Sequence, residues 1–221
     1  MPVAAKICGL ATVAALDAAI EGGARHVGFV CYPPSPRYVS REEAQALSRR
    51  VPLSVERVGL FVDPDDQLLV ERTQDCSLDV LQLHGKESAE RVAEIRQRFG
   101  LPVMKAVKLA TADDLAQARR YVGAADRLLF DATEPPPERL AGLAALPGGN
   151  GLPFDWTLLE HAPDIGLPWM LAGGLTPDNV AEAVRVTAAS AVDVSSGVEE
   201  RRGVKSPALI SRFLAAVASL P

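Results

Sequence analysis

The chain has 221 residues, of which 48% are hydrophobic and 23% charged, with a formal net charge of −5 at pH 7. This length suits one large domain with a sizeable core. The acidic balance, with an isoelectric point near 5.3, argues against nucleic acid or an anionic membrane as the main partner. An anionic small molecule remains compatible with it, because backbone N–H groups at helix ends attract phosphate without a basic surface.

The cysteine and histidine pattern indicates reduced thiols and no metal site. Cys8, Cys31 and Cys76 lie far apart, no Cys-x-x-Cys pair occurs, and the three histidines are scattered. Such usage is typical of a cytoplasmic protein. The chain starts without a secretory signal pattern, and no apolar run approaches the ~20 residues of a membrane span. We therefore expect a cytoplasmic protein that needs no metal.

Eight short apolar runs alternate with longer segments rich in alanine, leucine, arginine and glutamate. The predicted strands are Val3–Cys8, His26–Val30, Arg57–Val62, Val80–His84, Val103–Leu109, Arg127–Asp131, Trp169–Ala172 and Ala191–Ser195. Nearly continuous apolar runs are typical of parallel strands that are buried on both faces.

Helix signals fall between the predicted strands. Ser40 and Glu43 have the spacing of a capping box, and Thr111 precedes two acidic residues. Thr176 and Ser206 each stand before a proline, which predicts a helix start at both places.

A strand and a helix repeated eight times predict one domain over residues 1–221, a single (β/α)8 TIM barrel of parallel strands with outer helices. An open doubly wound sheet is the alternative. It is disfavoured because Lys6-Ile-Cys-Gly9, and no Gly-x-Gly-x-x-Gly, stands at the first strand. The connection after the sixth strand, Thr133–Pro153, is long, and we expect it to have a functional or mobile role; the sequence does not define the role of residues 134–146 within it.

The active site of such a barrel lies at the carboxyl ends of the strands, where Cys8 and Asp131 stand. Cys8 is a candidate general base, and Lys6 on the same strand face would favour its thiolate. Partial burial would raise the pKa of Asp131 and make it a candidate general acid. The alternatives are a buried, inert cysteine and an aspartate that caps a turn.

Further candidates line the same end of the predicted barrel. Arg37 can hold a carboxylate through two parallel hydrogen bonds, or it is simply solvated. His84 has a supporting role, either towards substrate or in positioning Asp131. The last three loops contain glycines that let a phosphate approach the backbone, and the candidate phosphate ligands there are Gly149, Gly151, Gly174, Ser196 and Gly197.

Taken in order from the first strand to the last helix, these segments resemble the phosphoribosylanthranilate isomerase family. The motifs that carry the resemblance are Lys6-Ile-Cys-Gly-Leu10, Pro34-Ser-Pro-Arg-Tyr-Val39, Leu81-Gln-Leu-His-Gly85, Gly148-Gly-Asn-Gly151, Leu171-Ala-Gly-Gly-Leu-Thr-Pro177 and Asp193-Val-Ser-Ser-Gly-Val-Glu199. The first and last of these in combination are highly specific.

The resemblance implies a barrel enzyme of tryptophan biosynthesis. Its substrate would be N-(5-phosphoribosyl)anthranilate, converted by Amadori rearrangement to 1-(2-carboxyphenylamino)-1-deoxyribulose 5-phosphate. It implies that Cys8 removes the proton from sugar C2 and that Asp131 protonates the ring oxygen. Arg37 would hold the anthranilate carboxylate and the glycine loops the phosphate. No metal or organic cofactor is implied, and the chain would act as a monomer or a homodimer.

The sequence departs from the family pattern at several places. The connection after the sixth strand has an extra segment, 138–146, and Arg201-Arg-Gly-Val-Lys205 replaces a commoner Pro-Gly-x-Lys run. Cys31 stands where an aromatic residue is more usual. We hypothesise that Cys31 comes close enough to Cys8 for oxidation to silence the base.

Three other functions are weaker. An aminoimidazole carboxamide ribonucleotide isomerase, or a bifunctional relative, would have an aspartate in place of Cys8. An epimerase of ribulose phosphate would need a metal-binding histidine and aspartate set, which the sequence lacks. A non-catalytic phosphate binder predicts a degraded acid or base, whereas Cys8 and Asp131 are both present.

Overall fold

The computed structural model describes residues 2–132, 156–159 and 165–220, and it shows the predicted closed barrel of eight parallel strands. The strands are β1 Ala4–Cys8, β2 His26–Val30, β3 Glu56–Phe61, β4 Val80–Leu83, β5 Val103–Leu109, β6 Arg127–Ala132, β7 Trp169–Ala172 and β8 Ala191–Val194. Each differs from its predicted range by two residues or fewer in total.

Pairing of the first strand with the last closes the sheet. Lys6 of β1 is in register with His26 of β2 on one side and with Asp193 of β8 on the other. Side chains alternate between the two faces of a strand. The register therefore sets Lys6 and Asp193 side by side inside the barrel, two residues before the carboxyl end of β1.

Helices cover the outside of the barrel. Among the described residues they are α1 Val13–Glu21, α2 Arg41–Ser48, α3 Asp66–Cys76, α4 Ala89–Phe99, α5 Ala112–Ala118, α6 Val180–Thr187 and α7 Pro207–Ala218. A small antiparallel hairpin, β9 Glu199–Arg201 and β10 Val204–Lys205, follows β8. No helix in the described part of the chain has the length and apolar character that crossing a membrane requires.

Three of the four predicted helix starts are confirmed. Ser40 and Glu43 form a reciprocal capping box, Thr111 forms one with Asp114, and the Ser206 hydroxyl caps α7 ahead of Pro207. The prediction at Thr176 was wrong. The Asn179 side chain accepts a hydrogen bond from the Thr176 amide at 2.8 Å. Asn179 has a φ of −116°, outside the α-helical range. Residues 177–179 therefore form a turn, and α6 begins three residues later than predicted.

The core has two layers, one on each side of the sheet. Most of it lies between strands and helices and includes fully buried Phe29, Phe61, Phe130 and Phe213. A smaller cluster fills the barrel interior, and it comprises Val58, Val80, Met104, Ala106, Leu129, Met170 and Ala172. The filled interior closes the barrel beneath the carboxyl ends of the strands, where a cavity remains open.

Candidate active site

A cavity of 490 Å³ lies at the carboxyl end of the barrel. Six of the predicted site residues line it in the described part of the chain, namely Cys8, Arg37, His84, Asp131, Gly174 and Ser196. A larger cavity of 710 Å³ lies at the opposite end of the barrel and includes none of the predicted site residues. The predicted acid and base therefore share one cavity, as the sequence analysis expected.

Cys8 is buried at the last position of β1, with a charged pair beside it. The Nζ atom of Lys6 lies 2.9 Å from Oδ1 of Asp193, and Lys6 is fully buried. Gly28 on the neighbouring strand leaves room for this arrangement. A Cβ atom there would lie 3.1 Å from the Cys8 Sγ atom and 3.3 Å from the Lys6 Nζ atom. The missing side chain at Gly28 thus lets the thiol and the ammonium group meet.

Burial and the nearby cations have opposite effects on the pKa of Cys8. Burial raises the pKa of the Cys8 thiol, the nearby Lys6 ammonium lowers it, and the net pKa lies above the ordinary value of 9.0. Burial also acts to lower the pKa of Lys6, but Asp193 and Cys8 raise it overall. Lys6 therefore favours the thiolate, as predicted, but the pKa of the Cys8 thiol stays above its ordinary value.

Asp131 emerges from β6 and meets His84 across the cavity mouth. The His84 Nε2 atom lies 3.2 Å from Asp131 Oδ2, and the Gln82 amide nitrogen lies 3.1 Å from His84 Nδ1. In this arrangement Gln82 donates to Nδ1, so that the ring proton sits on Nε2 and is donated to Asp131. The partly buried chain Gln82–His84–Asp131 orients the carboxyl group towards the cavity.

Arg37 is held in place by a partly buried ion-pair network. Its Nε and Nη2 atoms donate to the two carboxylate oxygens of Glu199 at 2.6 and 2.9 Å. The Lys205 ammonium lies 2.6 Å from Glu199 Oε1 and 3.0 Å from the Ser195 carbonyl oxygen. Although burial alone would raise the pKa of Glu199, these partners lower it to about 2. Arg37 keeps its Nη1 edge for a ligand.

The glycine-containing loops lie where a phosphate site was predicted. Gly174 and Ser196 line the cavity, whereas Gly197 is not among the described residues that do. A side chain at Gly197 would overlap the carbonyl oxygen of Leu175, so this glycine lets the loops after β7 and β8 touch. Gly149, Gly151 and segment 134–146 lie outside the described residues.

The placement of Cys31 contradicts the proposed coupling to Cys8. Gly28 borders Cys8 inside the barrel, and Cys31, three residues further along, lies in the core layer between strands and helices. There burial raises the pKa of Cys31 to about 12, and its titratable neighbours are the Arg72 guanidinium and the Cys76 thiol. The two thiols thus lie on opposite faces of the sheet, and a direct disulfide between them is not expected.

Sequence reasoning missed four residues that shape the site: Gln82, Asp193, Glu199 and Lys205. All four stand in or near the motifs that carry the family resemblance, which was the signal available. No local pattern shows that Glu199 pairs with Arg37, because the two are separated by 162 positions in the chain.

In the described part of the chain, no group of three or more histidine, cysteine or acidic residues is arranged to hold a metal ion.

A closed parallel barrel with a polar cavity at its carboxyl end defines the class of (β/α)8-barrel enzymes. Residues 5–216 match the family model described as N-(5'phosphoribosyl)anthranilate (PRA) isomerase. The chain belongs to this family of isomerases.

Curated relatives match over essentially the whole chain. A protein named N-(5'-phosphoribosyl)anthranilate isomerase from Rhodospirillum centenum is 57% identical over 220 residues, which covers 100% of both chains. The Paracoccus denitrificans protein of the same name is 54% identical, with 97% of each chain covered.

Solved structures of the family have the same fold. The phosphoribosyl anthranilate isomerase of Thermotoga maritima is 36% identical, with a TM-score of 0.86, over 99% of this chain and 100% of that one. A second structure holds reduced 1-(o-carboxyphenylamino)-1-deoxyribulose 5-phosphate; it is 34% identical, with a TM-score of 0.84 and the same coverage.

Proposed function

We propose that this enzyme converts N-(5-phosphoribosyl)anthranilate to 1-(2-carboxyphenylamino)-1-deoxyribulose 5-phosphate in tryptophan biosynthesis. Cys8 is the general base and Asp131 the general acid. The observation that carries the proposal is that a thiol and a carboxyl group line one cavity of a barrel whose solved relative binds a reduced product. No metal or organic cofactor takes part in the proposed reaction.

The proposed reaction starts at the ring oxygen of the sugar. Asp131 donates a proton to that oxygen as the C1–O bond breaks, and the substrate nitrogen forms an imine with C1. Because the imine withdraws electrons, the proton on C2 becomes acidic and a modest base suffices. Cys8 takes it as thiolate. Cys8 returns that proton to C1 of the resulting enaminol, and the C2 hydroxyl proton passes through solvent to Asp131, so both residues regain their starting protonation states.

The remaining residues bind and orient the substrate. We assign the anthranilate carboxylate to the free edge of Arg37 and the phosphate to Gly149, Gly151, Gly174, Ser196 and Gly197. His84 positions Asp131 through the 3.2 Å contact. Backbone amides suit a phosphate because they present partial positive charge without side-chain reorganisation.

A steady-state assay with N-(5-phosphoribosyl)anthranilate tests this function. We expect turnover by the native enzyme, and we expect Cys8→Ala and Asp131→Ala each to lower kcat by roughly 10²–10⁴-fold. Binding of a reduced product analogue should weaken far less. Full activity in either variant contradicts its assigned role. Turnover of the aminoimidazole carboxamide ribonucleotide substrate in place of the anthranilate would contradict the proposed substrate.

The oligomeric state and the cellular location of the enzyme are also proposed. One solved relative concerns monomers generated from the dimeric enzyme of Thermotoga maritima, at 34% identity and a TM-score of 0.83. We propose that the present chain works in the cytoplasm as a monomer or a homodimer, formed by a single domain over residues 1–221. Light scattering of the purified protein distinguishes the two assembly states.

A further inference from the structure

One cation at the active-site cavity has no part in the function proposed above. Arg202 lines the cavity together with Cys8 and Arg37. It stands at the turn of the β9–β10 hairpin and is exposed. Within the described residues its guanidinium group makes no ion pair with a carboxylate, unlike that of Arg37. A free guanidinium beside a ligand cavity is suited to an anionic ligand.

The hairpin turn rests on the loop that carries Arg37. Gly203 has a φ of +84°, and its amide donates to Glu199 Oε2 at 3.0 Å. A Cβ atom at Gly203 would lie 2.7 Å from the Pro36 carbonyl oxygen, so the two backbones are in close contact. Arg202, next to Gly203, is therefore held near Arg37 and belongs to that side of the cavity.

The charged groups around Arg37 allow a ligand carboxylate to bind a second cation as well. Glu199 pairs with both Arg37 and Lys205, so the three groups together carry a single net positive charge. The Nε–Nη2 edge of Arg37 is already used by Glu199. A ligand carboxylate at the remaining edge still has an unused oxygen lone pair for another donor.

We propose that Arg202 is a second substrate-binding residue, which holds the carboxylate of the substrate's aromatic ring together with Arg37. This inference rests on the proposed function. Arg202 would select substrates that carry the carboxylate, and the backbone amides of the β7 and β8 loops would bind the phosphate independently.

Two variants of the hairpin separate this role from a general effect of charge. Arg202→Gln removes the proposed contact. Arg201→Gln removes the same charge from an exposed neighbour that does not line the cavity. Calorimetry then measures binding of two reduced product analogues, one with the ring carboxylate and one with a plain phenyl ring. We expect Arg202→Gln to weaken binding of the carboxylated analogue about tenfold, as loss of one charge-assisted hydrogen bond does.

Binding of the phenyl analogue should stay unchanged in Arg202→Gln, and Arg201→Gln should bind both analogues like the native enzyme. Equal weakening for both analogues would overturn the proposal and assign Arg202 to the phosphate. Unchanged binding of the carboxylated analogue would overturn it as well. A parallel turnover assay of the native enzyme with the anthranilate substrate separates the two proposals. If the native enzyme turns the substrate over, such a failure concerns Arg202 alone. Native enzyme without turnover would contradict the proposed function itself.

Discussion

Single residues decide the chemistry of this site, and Gln82 shows how. Its side chain is fully buried, and its Oε1 atom has no hydrogen-bond partner in the part of the chain that the structure describes. A buried polar atom without a partner costs free energy, so the amide is retained for what its nitrogen does. That nitrogen fixes the proton of His84 on the side facing Asp131.

Gln82→Met keeps the size of this side chain and removes its hydrogen bond to His84. We expect kcat to fall about tenfold, the effect of one lost hydrogen bond, because Asp131 is less well oriented in the transition state. KM should change by a smaller factor. Unchanged kcat in a stably folded variant would show that Gln82 only fills space.

At the scale of single residues, the sequence predicted which types of residue lie at the site but not the surroundings that set their pKa values. It identified Cys8 and Asp131 because both stand at strand ends, where a barrel places its chemistry. It could not show that burial outweighs Lys6 in setting the pKa of Cys8, since that balance depends on Asp193, which lies far along the chain. The Cys31 hypothesis failed because sequence proximity to a neighbouring strand does not fix which face a side chain occupies.

Secondary-structure elements depend on packing that local sequence only partly encodes. The strands were predictable because eight apolar runs share one pattern. Helix starts were predictable where the capping residue bonds its own helix, as Ser40 does with Glu43. At Thr176 the same kind of sequence gave a turn, because Asn179 has a φ of −116°, outside the α-helical range, and the regular helix starts only after it.

The last helix, α7, packs against α1 and β1 on the outside of the barrel, and its Phe213 side chain is fully buried. We expect Phe213→Ala to lower the free energy of unfolding by about 3–5 kcal/mol, because the substitution leaves a cavity in the layer between helices and strands. Urea unfolding followed by circular dichroism measures this.

Arg212→Ala on the same helix is the matched control. Arg212 lies on the surface, and among the residues that the structure describes its one ion pair is with exposed Asp178, so its loss should cost less than about 1 kcal/mol. Equal destabilisation by the two substitutions would contradict the assignment of Phe213 to the core.

At the scale of the whole molecule, a network of ion pairs that stabilises the fold lies at one end of the barrel, and the candidate active-site cavity lies at the other. At the amino end, Glu56 lies 2.9 Å from His26 Nδ1 and 2.7 Å from Arg127 Nη1. The short contact with His26 and then the hydrogen bonds from Arg127 lower the pKa of Glu56 from 4.5 to about 2. This network is far from the cavity that holds Cys8 and Asp131.

A lowered pKa in the folded state makes the contribution of Glu56 to stability complete above pH 4.5. This contribution is lost as the pH falls towards about 2, since the unfolded chain then binds the proton more readily. We expect the free energy of unfolding to fall over this window, with a shallower slope in Glu56→Gln. Urea titrations at several pH values measure the slopes, and identical slopes would contradict the role of Glu56. Activity near neutral pH should be retained in this variant.

The central claim concerns the geometry of Cys8 and Asp131 around a bound sugar. A crystal structure of this enzyme with a reduced product analogue tests it most directly. We expect the Cys8 Sγ atom within about 3–3.5 Å of the carbon that corresponds to C2, and an Asp131 oxygen at a similar distance from the former ring oxygen. A complex in which either group points away from the ligand, or in which the ligand binds elsewhere, would contradict the account.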